Sequence, residues 1–373
     1  MPIMIFGDIC PDNDYRRLFD TKEYGPFDKS IIKEIQNASL TIANLECPAT
    51  ENTMPIVKTG PNLRANPQDI KLFGRMGIDI LSLANNHILD YGILGVEDTI
   101  LNCRNNNIKT VGAGLNLEKA RVPIMVETDE KKVGIISFAE AEFNLATDSA
   151  PGANHFDPYS SYELVKKLKS DSDYVIVLYH GGIEHYKYPS PLLQKKCRKF
   201  VDSGADLVLC QHSHCIGSEE KFMDGTILYG QGNSCFGFRE KDVSWNEGIL
   251  VMVDPKTREI SRRLLIATAD GVFLRSEKES RERIEQMRED SSILSDSSEI
   301  ESRWIEFCKR QEDLDMPLLY GKNRVFTKLN RILHNRLVNI FYSRKKQMIT
   351  MNLLRCEAHH EVIQTILEDK IFR

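Results

Sequence analysis

The chain has 373 residues, is 41% hydrophobic, and carries a formal charge of −5 with a pI near 6.0. That length allows one large core or two smaller ones, and the mild acidity argues against bulk attraction to nucleic acid or to an anionic membrane. No window approaches the roughly 18 apolar residues that span a bilayer, and the nine cysteines are scattered, odd in number and lack a Cys-x-x-Cys, which fits a reducing, cytoplasmic setting.

Met1 to Asp8 has neither a basic start nor a long apolar run, so it reads as a first strand and not as a signal peptide. Strands are predicted at Ile3–Phe6, Leu40–Leu45, Ile78–Leu83, Lys132–Phe138, Tyr174–Tyr179, Asp206–Cys210, Thr226–Tyr229, Gly248–Val253 and Glu259–Ala267. Several are continuous apolar runs, as expected of strands covered on both faces. Helical spacing falls between them, at Asp28–Ala38, Pro67–Met76, Gly92–Asn106, Ser161–Lys169 and Pro191–Ser203. The alternation predicts an α/β layered domain over 1–275.

Composition changes at Ser276, so 276–373 is predicted to be a helical extension, with the charged, Ser-rich stretch to Ser302 an exposed helix or a partly disordered linker. Lys322 to Lys346 holds eight Lys or Arg and no acid, with Val325, Leu329, Ile332, Leu333, Leu337, Ile340 and Phe341 at helical spacing. Such a basic amphipathic helix either packs its apolar face on the core domain or contacts a membrane surface or partner protein.

Polar residues with ligand chemistry sit where predicted strands end. Asp8 follows the first strand, Glu46 the second, and Asn85-Asn86-His87 the third; His180 follows Tyr179, and His212-Ser213-His214 follows Cys210-Gln211. Ligand sites of open α/β sheets lie beyond the carboxyl ends of strands. Singly, each has an ordinary explanation: Asp8 a turn or cap, Glu46 a solvent-facing charge, Asn85 and Asn86 turn residues, His180 a satisfied core histidine. Jointly, carboxylate, carboxamide and imidazole donors suit a pair of divalent cations, Mn, Fe, Zn or Mg, with one carboxylate bridging.

The chain resembles the CapA, or poly-gamma-glutamate capsule synthesis, family, a branch of the calcineurin-like metallophosphoesterases. The resemblance rests on Gly7-Asp8, Asn44-Leu45-Glu46, the run Leu83 to Gly92, Gly112-Ala113-Gly114, His180 to Glu184, Gln211 to His214, and Leu228 to Asn233, in the family's order over about residues 1 to 255. It implies a metallophosphoesterase-like αββα sandwich. It also implies that Asp8 and His214 hold one metal, that Asn86, His180 and His212 hold the other, and that Glu46 bridges them. By the same likeness His87 is the general acid or a transition-state stabiliser, Asp90 orients it or caps the following helix, and Glu184 and His185 lie on the substrate side. The chain departs from the wider superfamily at Asp8-Ile9-Cys10, where many members have Asp-x-His, so one metal is expected to be held less tightly. It also departs from the family at Gln211 and Ser213, where His-His-Pro-His is common, and at Gly230-Gln231-Gly232-Asn233, where Ser-Leu-Gly-Asn is common.

The expected activity is a di-metal hydrolase of a phosphoester or exopolymer-related substrate, tied to capsule or exopolymer synthesis. The alternatives are a non-catalytic assembly or export factor and an interaction protein with a vestigial site.

Overall fold

The computed structural model describes residues 1–11, 15–128, 131–319, 324–334, 336–355 and 357–372; Lys322 and Cys356 lie outside them. The chain divides into two units, Met1–Ile300 and Glu301–Arg373.

The first unit begins with β1 (Ile3–Ile9), α1 (Arg16–Thr21), α2 (Lys29–Gln36), β2 (Leu40–Leu45), α3 (Pro67–Met76), β3 (Ile80–Ser82), α4 (Gly92–Asn105) and β4 (Lys109–Val111). It continues with β5 (Ala113–Gly114), α5 (Leu117–Ala120), β6 (Ile124–Thr128), β7 (Lys131–Ala139), β8 (Gly152–Ala153), α6 (Ser161–Ser170), β9 (Tyr174–His180) and α7 (Pro191–Asp202). Then come β10 (Leu207–Gln211), β11 (Glu219–Phe222), β12 (Gly225–Leu228), β13 (Asn233–Cys235), β14 (Glu247–Val253), β15 (Ile260–Thr268), β16 (Gly271–Leu274) and α8 (Glu277–Ser291).

Among the described residues, one sheet runs β16-β15-β14-β1-β2-β3-β4 with β13 also on β1, and a second runs β11-β12-β10-β9-β7-β6. The middle of each is parallel: β1, β2, β3 and β4 in the first, β7, β9, β10 and β12 in the second. Alternation along each strand builds the layers. Ile3, Ile5, Ile42 and Ile80 face the second sheet and pack with Val133, Ile135, Ile176, Leu178 and Leu209. Met4, Phe6, Ala43, Leu45 and Leu81 face away and meet Phe19, Ile31, Ile35, Phe73 and Val96 from the flanking helices. Val175, Val177 and Val208 do the same on the far side with Val165, Leu168, Leu193 and Phe200. The result is four layers, αββα, with every central strand buried on both faces, which is why those strands read as unbroken apolar runs.

The composition break at Ser276 falls within the first unit. Ser276 caps α8 through a capping box with Glu279, and Ile284 and Met287 enter the core between the sheets. Leu294 and Ile300 join the core outside the second sheet. Ser276 to Ile300 is therefore packed structure despite its charge.

The helix α9 (Ser297–Leu319) leads out of the first unit. In the second unit α10 (Arg324–Ile332), α11 (Arg336–Phe341), α12 (Arg344–Arg355) and α13 (Glu357–Phe372) follow. The basic stretch thus does not form one continuous helix; it breaks where His334 takes a φ of +49°. Val325, Leu329, Ile332, Leu333, Ile340 and Phe341 are exposed.

At Gly112 the first sheet comes close to the second. Its φ is +86°, and an added Cβ would lie 2.6 Å from the Ala84 Cβ and 2.8 Å from the Ser137 Cβ. Ser82 Oγ and Ser137 Oγ share a 2.8 Å hydrogen bond across the same gap. Gly112→Ala is expected to destabilise the fold by about 3 kcal/mol, from left-handed strain plus overpacking, read as a lowered denaturant midpoint at unchanged slope.

Candidate metal centre

The parallel strands of both sheets open their carboxyl ends at one edge, and the predicted ligands meet there. Asp8 lies near the end of β1, Glu46 directly after β2, and Asn86 in the turn after β3. His180 ends β9, and His212 follows β10. One group of ligand atoms comprises Glu46, His180 and His212, a second comprises Asp8, Glu46 and His214, and within each the atoms lie within 4.8 Å of one another. Glu46 belongs to both.

Glu46 Oε1 is 3.4 Å from His180 Nε2 and 3.9 Å from His214 Nε2. Its side chain is fully buried, yet neither oxygen has a hydrogen-bond partner among the described residues. His212 Nδ1 is likewise buried and unpartnered. Asn86 Oδ1 lies 3.0 Å from His180 Nε2, so the carboxamide faces the same point. Buried polar atoms left without partners are rare and costly in folded chains, and these are oxygen and imidazole donors of the kind divalent cations take. The residues present fit such ions.

Several residues hold this set in place. Asp8 Oδ1 accepts from Asn44 Nδ2 at 2.7 Å, and Asp8 Oδ2 accepts from the His212 backbone N–H at 2.9 Å, which ties one sheet to the other. Asn44 Nδ2 also lies 3.3 Å from His180 Nδ1; if it donates there, the ring proton sits on Nε2, the nitrogen that faces Asn86 and Glu46. Asn233, beside Asp8 in β13, sets His214: its Oδ1 is 2.9 Å from His214 Nδ1, and its Nδ2 donates to the Trp245 carbonyl at 2.9 Å. Phe236 and Trp245 pack against the His214 ring, each with centroids 4.7 Å away. His212 and His214 have φ of +88° and +51°. Non-glycine residues adopt that region at a cost, and such strain clusters at functional sites. The His185 N–H donates to the Ser213 carbonyl at 2.8 Å, clamping the loop after β9 to the strained turn. Gly181 admits no side chain, since a Cβ there would lie 2.4 Å from the Glu140 Cγ.

His87 sits beside the ligand set. Its Nδ1 is 2.6 Å from Asp90 Oδ2, and its backbone N–H donates to Asn85 Oδ1 at 3.1 Å. Asp90 Oδ2 also accepts from the Leu63 N–H at 2.7 Å, and Asp90 Oδ1 pairs with the almost fully buried ammonium of Lys58. Lys58 Nζ is 3.1 Å from His87 Nδ1. That nitrogen cannot both donate to Asp90 and accept from Lys58; the shorter contact to a carboxylate puts its proton toward Asp90. Glu184 is exposed on the loop after β9, near enough for its charge to raise the Glu46 and His212 pKa values, but it is in neither ligand group. Cys10 is in neither group too: it is buried in the apolar layer outside the first sheet, and its N–H donates to the Cys235 carbonyl at 2.8 Å.

The sequence reasoning passed over Lys58, Asn44 and Asn233 as individual residues. Asn44 and Asn233 stood inside quoted motifs, and their register beside Asp8 is what the sheet adds. Lys58 comes from a loop without a periodic pattern, and nothing in the sequence marks it.

Burial dominates the electrostatics. It pushes Asp8 up to about 7, with the Glu46 charge adding to the effect. It pushes Glu46 up to about 8 against the pull of His87. It pulls His180 down to about 4 and, with His180 nearby, His212 down to about 3.

Four layers with carboxylates, carboxamide and imidazoles gathered at the shared carboxyl edge make up the architecture of a calcineurin-like metallophosphoesterase. The chain belongs to the bacterial capsule synthesis protein PGA_cap family, whose sequence profile matches residues 2–237. It is 29% identical over 211 residues to the capsule biosynthesis protein CapA of Bacillus anthracis, covering 54% of this chain and 51% of that one. It is also 29% identical over 182 residues to the PGA biosynthesis protein CapA of Bacillus subtilis (strain 168), covering 47% of each. The chain thus spans about half the length of the curated relatives it matches. Among solved structures, the 5'-nucleotidase precursor from Thermus thermophilus aligns with a TM-score of 0.46 at 14% identity, covering 79% of this chain and 60% of that one. No helix among the described residues is long and apolar enough to cross a membrane.

Raised carboxylate pKa values stabilise the folded state only while the groups stay protonated. For Asp8 and Glu46 that contribution is present below the unfolded carboxylate pKa, about 4, and is lost as pH rises through about 7 and about 8. The depressed histidines act oppositely, but their effect is spent above the unfolded value near 6.5. Chelator-treated protein is therefore expected to lose thermal stability between about pH 6.5 and 8.5. Added Mn or Zn is expected to raise Tm most at the upper end, because cation binding favours deprotonated ligands. A melting temperature flat across that range, with and without metal, contradicts this electrostatic account.

Proposed function

We propose that this chain is a metal-dependent hydrolase of the capsule synthesis system, with a phosphoester or an exopolymer-related bond as substrate. The observation that carries the reading is the carboxylate of Glu46, buried, without hydrogen bonds and shared by both ligand groups. In this reading Asp8 and His214 hold one cation, Asn86, His180 and His212 the other, and Glu46 bridges them. Bound there, divalent cations supply Lewis acidity toward the scissile group's oxygen and lower the pKa of water to near neutrality.

The protein's own groups handle position and protons. Asp90, held by Lys58 and the Leu63 N–H, fixes the His87 ring through Nδ1 and leaves Nε2 to give a proton to the leaving oxygen. Asn44 and Asn233 orient Asp8 and His214. Glu184 and His185 stand on the loop where a substrate would approach.

Full-length protein loaded with Mn or Zn is expected to hydrolyse generic phosphodiester or phosphomonoester substrates. Asp8→Ala should abolish both metal content and activity. His87→Ala should lower kcat by about 10²–10⁴-fold with metal content unchanged, and Lys58→Met by about 10–100-fold. Metal-loaded protein no more active than His87→Ala would favour a non-catalytic assembly or export role.

A peripheral membrane contact is the reading favoured by the exposed apolar residues of α10 and α11, set among basic residues without acids. Full-length protein is expected to float with anionic but not neutral liposomes, and Leu329→Glu with Phe341→Glu to abolish flotation. Failure to float with anionic liposomes removes this contact and leaves the hydrolase reading untouched.

A further inference from the structure

A cleft of about 400 Å³ lies between β15 and α8, lined by Arg262, Arg263, Arg281 and Arg288, with Ile284 among its apolar residues and Glu277 its one carboxylate. It shares no residue with the metal centre. It is also remote from it along the strands: Met252, which lines the cleft, pairs with Met4 of β1, four residues before Asp8, or about 13 Å at strand spacing.

The cleft is built from two elements. On α8, residues 277, 281, 284 and 288 recur at helical spacing and so share one face, while Ile284 and Met287 anchor the helix in the core. On β15, Arg262 is nearly fully buried; its guanidinium pairs with Glu219 and donates from Nη1 to the Ile260 carbonyl at 2.8 Å. Its Nε has no hydrogen-bond partner among the described residues, and neither does that of Arg263, whose Nη1 lies 3.7 Å from Glu34 Oε1. Arg281 and Arg288 are exposed at the mouth and make no ion pair among the described residues.

Four guanidiniums cost electrostatic energy when gathered unless something negative joins them. Glu219 and Glu34 answer two, leaving Arg281, Arg288 and the idle Nε of Arg262. Seven residues along a helix separate Arg281 from Arg288 by about 10 Å, too far for one phosphate or carboxylate to bridge and suitable for acidic groups strung along a chain. Arginine forks match either group bidentately. We propose that this cleft is a second ligand site, one that takes a multivalent anion: a short chain carrying carboxylates or phosphates.

The test is calorimetric titration of the full chain with two probes, tetraglutamate as the polycarboxylate and tripolyphosphate as the polyphosphate. Variants are Arg281→Ala with Arg288→Ala, the control Lys278→Ala on the exposed part of α8, and Asp8→Asn at the metal centre. Alanine favours helix, so α8 is expected to persist, which melting curves check. At least one probe should bind, and the double variant should weaken it by about tenfold or more while Lys278→Ala and Asp8→Asn bind like the parent. Whichever probe binds identifies the acid. Binding of neither probe, or a double variant that binds like Lys278→Ala, overturns the proposal. Loss on Asp8→Asn with no loss in the double variant assigns the anion to the metal centre instead, and hydrolase activity stands or falls separately from all of these outcomes.

Discussion

A carboxylate with no water and no hydrogen bond is the constraint around which this fold is arranged. Glu46 is wholly buried, and neither of its oxygens is satisfied among the described residues. Leaving such a group ionised without compensation costs several kcal/mol, so the chain either protonates it or gives it positive charge. The rise of its pKa to about 8 is the first response. The three imidazoles and the second carboxylate gathered around it are the means for the second. Much else in the first unit follows from that gathering: two parallel-centred sheets with carboxyl ends at one edge, the His212 N–H bound across the gap by Asp8, and a turn strained at two histidines.

Much of this was legible in the sequence because the buried strands leave a strong mark. Ile3–Ile9, Tyr174–His180 and Leu207–Gln211 are apolar nearly throughout, and the residue that ends or follows each is polar with ligand chemistry. That abrupt change is the signature of a functional edge on an otherwise buried sheet. The antiparallel margins are quieter. Ile124–Thr128 and Glu219–Phe222 alternate between exposed and covered residues, carry charges, and read as loops. Ser276–Ile300 misled in the opposite sense: its charge density hides two core residues on α8 and a capping box that holds the helix start.

The site shows the same division. Residues whose chemistry is distinctive, the histidines and acids at strand ends, announce themselves. Residues whose importance is positional do not. Lys58 matters because a loop delivers its ammonium to Asp90 and His87, and Asn233 because β13 lies beside β1. Cys10 shows the reverse case, a residue at a motif position that the fold turns into the core.

The central claim is that Glu46 lies between two cations, and anomalous diffraction from crystals grown with Mn or Zn tests it most directly. The account expects two anomalous peaks with the Glu46 carboxylate between them, one beside Asp8 and His214, the other beside His180 and His212. A map without peaks at this edge, or with metal bound only elsewhere on the molecule, would contradict it.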